Sequence, residues 1–154
     1  MRKEQREIKD FNAITEVLDR CRVIRLALND EKFPYVVPLS FGWENVDGKL
    51  HVYFHCAKEG KKTELIGKNN AVTIEADLFD GYVRTANGVT ADYKSVIAVG
   101  YAEEVFGNEA VHGIERLLEH CGIKDYPAED CVKKSPVAVY KITVERVTGK
   151  SRFK

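Results

Sequence analysis

The chain has 154 residues, 24 Lys plus Arg against 24 Asp plus Glu, and no formal net charge. Apolar residues make up 44% and charged residues 31%, a globular composition that excludes general disorder, and the length suits a single domain over 1–154. Zero net charge argues against a mainly electrostatic nucleic-acid binder, and no apolar run approaches the roughly 20 residues of a membrane span.

The opening MRKEQREIKDF is charged, with no apolar stretch behind it. No secretory leader is expected, and the cytoplasm is the default location. Asp10 suits a helix N-cap, followed by Ile14, Val17, Leu18 and Cys21 at helical spacing. Residues 23–29 alternate as a strand with Ile24, Leu26 and Leu28 toward a core. A turn over 30–34 leads into a second strand, 35–43, with Tyr35, Val37, Leu39, Phe41 and Trp43 on one face. Pro38 lies inside it and cannot donate a ladder hydrogen bond, which suits an edge strand or a kink at a ligand.

Asp47-Gly48 is a hairpin turn, and 50–56 is the third strand. Its two faces differ. Leu50, Val52, Phe54 and Cys56 form a core face, whereas His51, Tyr53, His55 and Ala57 point the other way and need a cover, from a partner, a ligand or the chain itself. A short helix is expected over 59–68. Its N-terminal N–H groups, with Lys61 and Lys62, suit a phosphate, although paired lysines are more often plain surface. His51 and His55 share a strand face about 14 Å apart, at ~3.4 Å per residue. That is too far for one metal ion, and no metal is expected.

Val72, Ile74, Ala76 and Leu78 alternate in a fourth strand. Residues 80–92 read as a loop or a loosely paired hairpin. A fifth strand covers 95–106, with Gly100 marking a bulge or a close backbone approach. Asn108 is expected to cap a helix carrying Val111, Ile114, Leu117, Leu118 and Cys121. Residues 122–135 read as irregular, and 137–147 as a sixth strand. The four cysteines, at 21, 56, 121 and 131, form no C-x-x-C and read as mostly buried free thiols. Together these elements predict a mainly β (α+β) fold, a six-stranded antiparallel split β-barrel with flanking helices. No P-loop, G-x-G-x-x-G, G-x-S-x-G or H-E-x-x-H occurs.

The basic opening at 2–10, Arg25-Leu26-Ala27-Leu28, PYVVPLSFGW (34–43), YFHCAKEGKK (53–62), YKSVIAVGYAEEV (93–105) and VYKITVERVTGK (139–150) occur in order. With them the chain resembles the flavin-binding split barrels related to pyridoxamine 5'-phosphate oxidase, and more closely their 5-nitroimidazole-resistance (Nim-type) branch. The resemblance implies a homodimer with FMN in two clefts between subunits and a small aromatic or nitro-type substrate. It implies that Pro38, Leu39 and Ser40 line the cleft, with His55, Cys56 and Ala57 near the ring system and ribityl chain. It further implies that Lys61 and Lys62 hold the phosphate and that Tyr93, Ser95 and Val96 come from the other subunit. The pyridoxamine oxidase pattern has Ser-Arg-Lys where this chain has Glu59-Gly60-Lys61, which counts against pyridoxamine phosphate as substrate. His55 is the candidate proton donor, or else a hydrogen-bond partner of the cofactor. A non-catalytic flavin carrier or sensor, and a haem-binding split barrel using His55 or His51, are the alternatives.

Overall fold

The computed structural model describes residues 4–134 and 137–152; positions 2 and 3 of the basic opening lie outside them. A short 3-10 turn, Glu4–Arg6, precedes strand β1 (Glu7–Ile8) and helix α1 (Phe11–Arg20). Then come β2 (Ile24–Leu28), β3 (Tyr35–Leu39), β4 (Gly42–Val46), β5 (Lys49–Ala57) and α2 (Lys61–Lys68). The chain finishes with β6 (Ala71–Thr85), β7 (Gly88–Val105), α3 (Gly107–His120), α4 (Ala128–Lys134) and β8 (Val137–Ser151).

The strands run in the order β3-β2-β6-β7-β8-β5-β4, with β1 pairing β8 beside that path. All pairings are antiparallel. β3 and β4 follow one another in the chain yet stand at opposite ends of the sheet, which is where the barrel is split. The α+β split-barrel expectation holds, with eight strands among the described residues rather than six. One extra strand is β1. The other arises because the stretch expected as 35–43 is two strands, broken at Ser40 and Phe41.

That break has a packing cause. Phe41 turns fully into the core, its ring 4.4 Å from that of His120. At Gly42 a Cβ would strike the backbone of Arg116 and Leu117, so α3 crosses β4 at the distance of main chain from main chain. Gly100 fulfils both readings made of it. The β7–β8 register shifts between Val99 and Gly100, and a Cβ there would meet the Thr143 carbonyl.

The segment 80–92 is an ordered ribbon. β6 and β7 stay paired out to Thr85 and Gly88, with one register shift between Phe79 and Tyr82. α3 is capped at Phe106, not Asn108. Within the irregular stretch expected over 122–135 lies α4, with Glu129 and Asp130 in its first turn and Lys133 and Lys134 in its last. β8 runs on through Thr148, Gly149 and Lys150 because they pair with β7.

The main core is a cluster inside the sheet, including Ile24, Leu26, Phe41, Val52, Phe54, Ile74, Val96, Ala98 and Ile142, closed at one side by Ile14, Val17 and Leu18 of α1. A second, smaller cluster of Val105, Ala110, Ile114, Ala128 and Val139 packs α3 and α4 against the sheet. Asp10 caps α1 as expected, its Oδ1 accepting from the Asn12 N–H at 3.3 Å. All four cysteines are free thiols. Only Cys21 is fully buried, and burial pushes its thiol up to about 11. No helix among the described residues is long and apolar enough to cross a membrane.

Candidate functional site

β5 carries the residues of interest, and its two faces meet different surroundings. Val52 and Phe54 face the core. On the other face the chain covers part of itself. Tyr53 is only 2% exposed, because α3 lies across it and its ring meets that of His112 edge-on at 5.8 Å. Tyr53 does point away from the barrel core, as expected, but α3 covers it, so its ring is closed to stacking on a ligand. Its hydroxyl donates to Glu44 Oε1 at 2.7 Å. His112 Nε2 lies 2.8 Å from Glu44 Oε2, and His51 Nδ1 3.8 Å from Glu44 Oε1. Burial disfavours the Glu44 charge, but the hydrogen bonds from Tyr53 and His112 outweigh it and hold the carboxyl below its usual range. This cluster pins α3 to the sheet.

His55 lies beyond the reach of α3 and stays exposed, as does Ala57, while Cys56 is half-buried. Neighbouring protein atoms first, and the Lys62 charge second, push the His55 imidazole below its ordinary value. Its outer side is open, so burial here means crowding on the inner side only. Burial raises the Cys56 thiol, Lys62 opposes that rise and Glu104 adds to it. His55, Cys56 and Lys62 thus share one neighbourhood at the junction of β5 and α2.

The two lysines have different surroundings. Lys61 Nζ sits 2.5 Å from Asp30 Oδ2 and 5.3 Å from the Tyr35 ring centroid, so it clasps the turn between β2 and β3 across the split. The hydrogen bond to Asp30 raises the Lys61 ammonium and lowers the Asp30 carboxyl. Nothing local to Asp30 in the sequence signals this partnership, which spans 31 positions. Lys62 has no carboxylate partner among the described residues, and its Nζ lies 5.8 Å from the Phe54 ring centroid. Both lysines stand in the first turn of α2, behind Gly60, which offers no side-chain cap. The first N–H groups of that helix have no intrahelical partner.

Pro38, Leu39 and Ser40 lie at the end of β3, whose only sheet neighbour among the described residues is β2. Pro38 is opposite Arg25 in that pairing, and as an edge residue it disturbs no interior ladder. A cleft of about 620 Å³ beside α2 is lined by Lys58, Glu59, Thr63, Glu64, Glu104 and Tyr140 among others, and not by Lys61 or Lys62. Its three carboxylates against one ammonium make it a poor seat for a phosphate. Burial, then Glu104 and Cys56, push the Tyr140 phenol there up to about 12.

Tyr93, Ser95 and Val96 are elsewhere. Val96 is buried in the core, whereas Tyr93 and Ser95 are half-buried. Burial pushes the Tyr93 phenol up, but hydrogen bonds from Lys150 and Arg6 outweigh it and hold it below its usual range. His55 pairs with Val139 and Val96 with Gly149, ten residues apart on β8, or about 33 Å of strand at ~3.3 Å per residue. One chain therefore does not bring the two groups together. Among the described residues no group of three or more His, Cys, Asp or Glu is placed to hold a metal ion.

No curated protein matches the chain in sequence. Solved structures do. One is a protein from Bacteroides thetaiotaomicron, provisionally named a 5-nitroimidazole antibiotic resistance protein. It has 27% identity and a TM-score of 0.82, over 94% of this chain and 85% of that one. A FAD-binding protein from Mesorhizobium loti has 25% identity and a TM-score of 0.67, over 96% and 98%. A flavocytochrome from Azotobacter vinelandii, at 18% identity and a TM-score of 0.78 over 100% and 72%, shares the fold. The family model described as pyridoxamine 5'-phosphate oxidase matches residues 10–151, nearly the whole of the split barrel, and the chain belongs to that family.

Proposed function

We propose that residues 1–154 form one FMN-binding domain that acts as a cytoplasmic homodimeric oxidoreductase, Nim-like, on a small aromatic or nitro-type compound. The observation that carries this reading is Lys62. It is an ammonium with no carboxylate partner among the described residues, in the first turn of α2 and beside an exposed histidine. The family match and the likeness to the 5-nitroimidazole resistance protein support it. A flavin phosphate suits this donor set, since Lys62 and the unpaired N–H groups of α2 both favour an anion.

When bound, a flavin supplies hydride or electron transfer to an acceptor stacked on its ring. The chain's own residues do the rest. Lys62 holds the phosphate, while Lys61 and Asp30 keep the start of α2 against the β2–β3 turn. Pro38, Leu39 and Ser40 border the split in which the ring would lie, and Cys56 and Ala57 complete that side. His55, exposed near the end of β5, would hydrogen-bond the cofactor or the acceptor through its imidazole. Because its proton affinity is depressed, the ring is mostly neutral at neutral pH, and a proton passed to the acceptor comes from its protonated fraction. Tyr93 and Ser95, so far along β8, enter the site from a second copy, while Val96, its side chain in the core, could add only its backbone.

Two other readings stay within the same test. The M. loti neighbour is FAD-binding, and a relative sharing the fold is a flavocytochrome. For a haem, His55 is the open ligand, because His51 is turned toward Glu44. The visible spectrum of the purified protein decides. A band near about 450 nm with FMN released on denaturation is expected, and a Soret band near about 400 nm would replace the flavin with haem. Reduction of nitroaromatic acceptors by reduced nicotinamide separates an enzyme from a flavin carrier.

A further inference from the structure

At the other end of β8 from His55 lies a second cleft, of about 530 Å³, lined by Gln5, Arg6, Arg84, Thr85, Asp92 and Arg152 among others. Its volume falls in the range of about 300–1,000 Å³ usual for small-molecule sites. Three guanidiniums face one carboxylate there. They come from separate segments. The pairing of Glu7 with Lys150 sets Arg6 beside the end of β8. Arg84 is carried by β6, opposite Val89, beyond the register shift that follows Phe79. Arg152 is fixed by its backbone N–H, which donates to the Tyr93 carbonyl at 2.8 Å.

Arg152 is also pre-oriented by its side chain. Its Nη1 donates to Thr90 Oγ1 at 2.8 Å, its Nε lies 3.6 Å from Asp92 Oδ1, and the side chain is only 18% exposed. A guanidinium carries five N–H donors, so these contacts leave others for the cleft. Arg84 has no carboxylate partner among the described residues, and Arg6 hydrogen-bonds the Tyr93 phenol. Asp92 therefore balances one positive charge of three. Gathering like charges in a concave wall has a cost that a bound anion offsets, and the wall focuses their field on the space between them. The planar fork of arginine matches carboxylate and phosphate oxygens, where lysine would offer a point charge.

We propose that this cleft binds an oxyanion, the carboxylate or phosphate group of a small molecule. Lys61, Lys62 and His55 take no part in it, but Arg6 and Arg152 both contact Tyr93, so the dinucleotide arm of the proposal rests on the flavin reading. Two sources share the chemistry: a free acidic ligand, or the second phosphate of a dinucleotide flavin.

The test uses the full chain, with inorganic pyrophosphate as probe followed by calorimetry, and FMN and FAD followed by flavin fluorescence. Saturable pyrophosphate binding at low salt is expected. Arg84→Gln, an exposed change, should weaken it about tenfold or more, as loss of one charge-assisted contact does. Arg152→Gln should abolish it, and unchanged melting of Arg84→Gln guards against a folding defect. If Arg84→Gln weakens pyrophosphate while FMN and FAD bind as before, the site serves a free acid. If it weakens FAD and spares FMN, the site takes the cofactor's second phosphate. Pyrophosphate binding that is unsaturable or indifferent to Arg84→Gln, with FMN and FAD affected equally, overturns the proposal. A protein that binds no flavin would refute the flavin reading and leave the pyrophosphate result standing.

Discussion

Lys61 Nζ lies 2.5 Å from Asp30 Oδ2, so one of the two charges at the start of α2 is already paired across the split of the barrel. Lys62 is then the stronger phosphate ligand of the two. Lys62→Ala should weaken FMN by about 1.5–3 kcal/mol, the value of a charge-assisted contact, and leave riboflavin nearly unchanged. Lys61→Ala should affect both flavins alike and less. Fluorescence titration of the four combinations checks this, and equal losses of FMN and riboflavin in Lys62→Ala would remove the phosphate assignment.

The depressed imidazole of His55 gives a pH prediction. In the flavin-free protein its ring resonances should titrate with a midpoint below the ordinary value of about 6.5. The sign for stability follows. Between the folded and unfolded values only the unfolded state binds the proton. His55 therefore favours the fold above about 6.5, and that contribution is lost as pH falls through the folded value. An NMR midpoint at or above 6.5 would contradict the crowding described here.

The same residue separates enzyme from carrier. His55→Gln keeps a polar side chain that cannot titrate. FMN affinity should change little, while nitroaromatic reduction should fall about tenfold or more, within the usual range of acid–base help. Loss of FMN instead would make His55 a cofactor ligand, and unchanged turnover would favour a carrier.

A site built from two chains can be restored by mixing. Lys62→Ala disables one half, and Tyr93→Ala together with Ser95→Ala the other. Neither variant alone should hold FMN well. Mixed by unfolding and refolding, they should recover about a quarter of the sites, since random pairing gives half heterodimers with one intact cleft each. Bound flavin per chain is the readout, and no recovery would mean that each chain builds its site alone.

Gly42→Ala should destabilise the protein by about 1–3 kcal/mol, the cost of overpacking, because its Cβ meets the backbone of Arg116 and Leu117. Gly67→Ala is the matched control. It lies within α2 with nothing within 4 Å, and should stabilise by about 0.4–1 kcal/mol. Urea melts of both variants compare the two, and a neutral Gly42→Ala would mean that α3 can shift off β4.

Much of this fold is legible in residue patterns. Alternation locates the core strands, Asp10 announces α1, and Gly100 marks the one place where β7 and β8 slip. The break at Ser40 and Phe41 is hidden because alternation continues through it, with Tyr35, Val37, Leu39, Phe41 and Trp43 all packed against the core. The ribbon over 80–92 is hidden for the opposite reason. Phe79, Tyr82 and Val89 are exposed, so no buried face imposes a period. Tyr53 follows strand alternation correctly, yet α3, some 60 residues later, decides that the face it points to is covered. The pairing of Lys61 with Asp30 is equally non-local. Element identity is a local property, whereas the site depends on which distant segments come to rest beside β5.

β8 pairs with β1, β5 and β7 at once. During synthesis β2, β3, β4, β5, β6 and β7 all emerge before it, and each can form local hairpins. None of them joins the β4–β5 hairpin to the β6–β7 ribbon, because β8 alone lies between β5 and β7. The nascent chain therefore holds two unconnected sheets with open edges until its last strand arrives. Barrel closure is a single late event, and a ribosome stalled anywhere before Val137 would carry a chain whose two halves cannot zip.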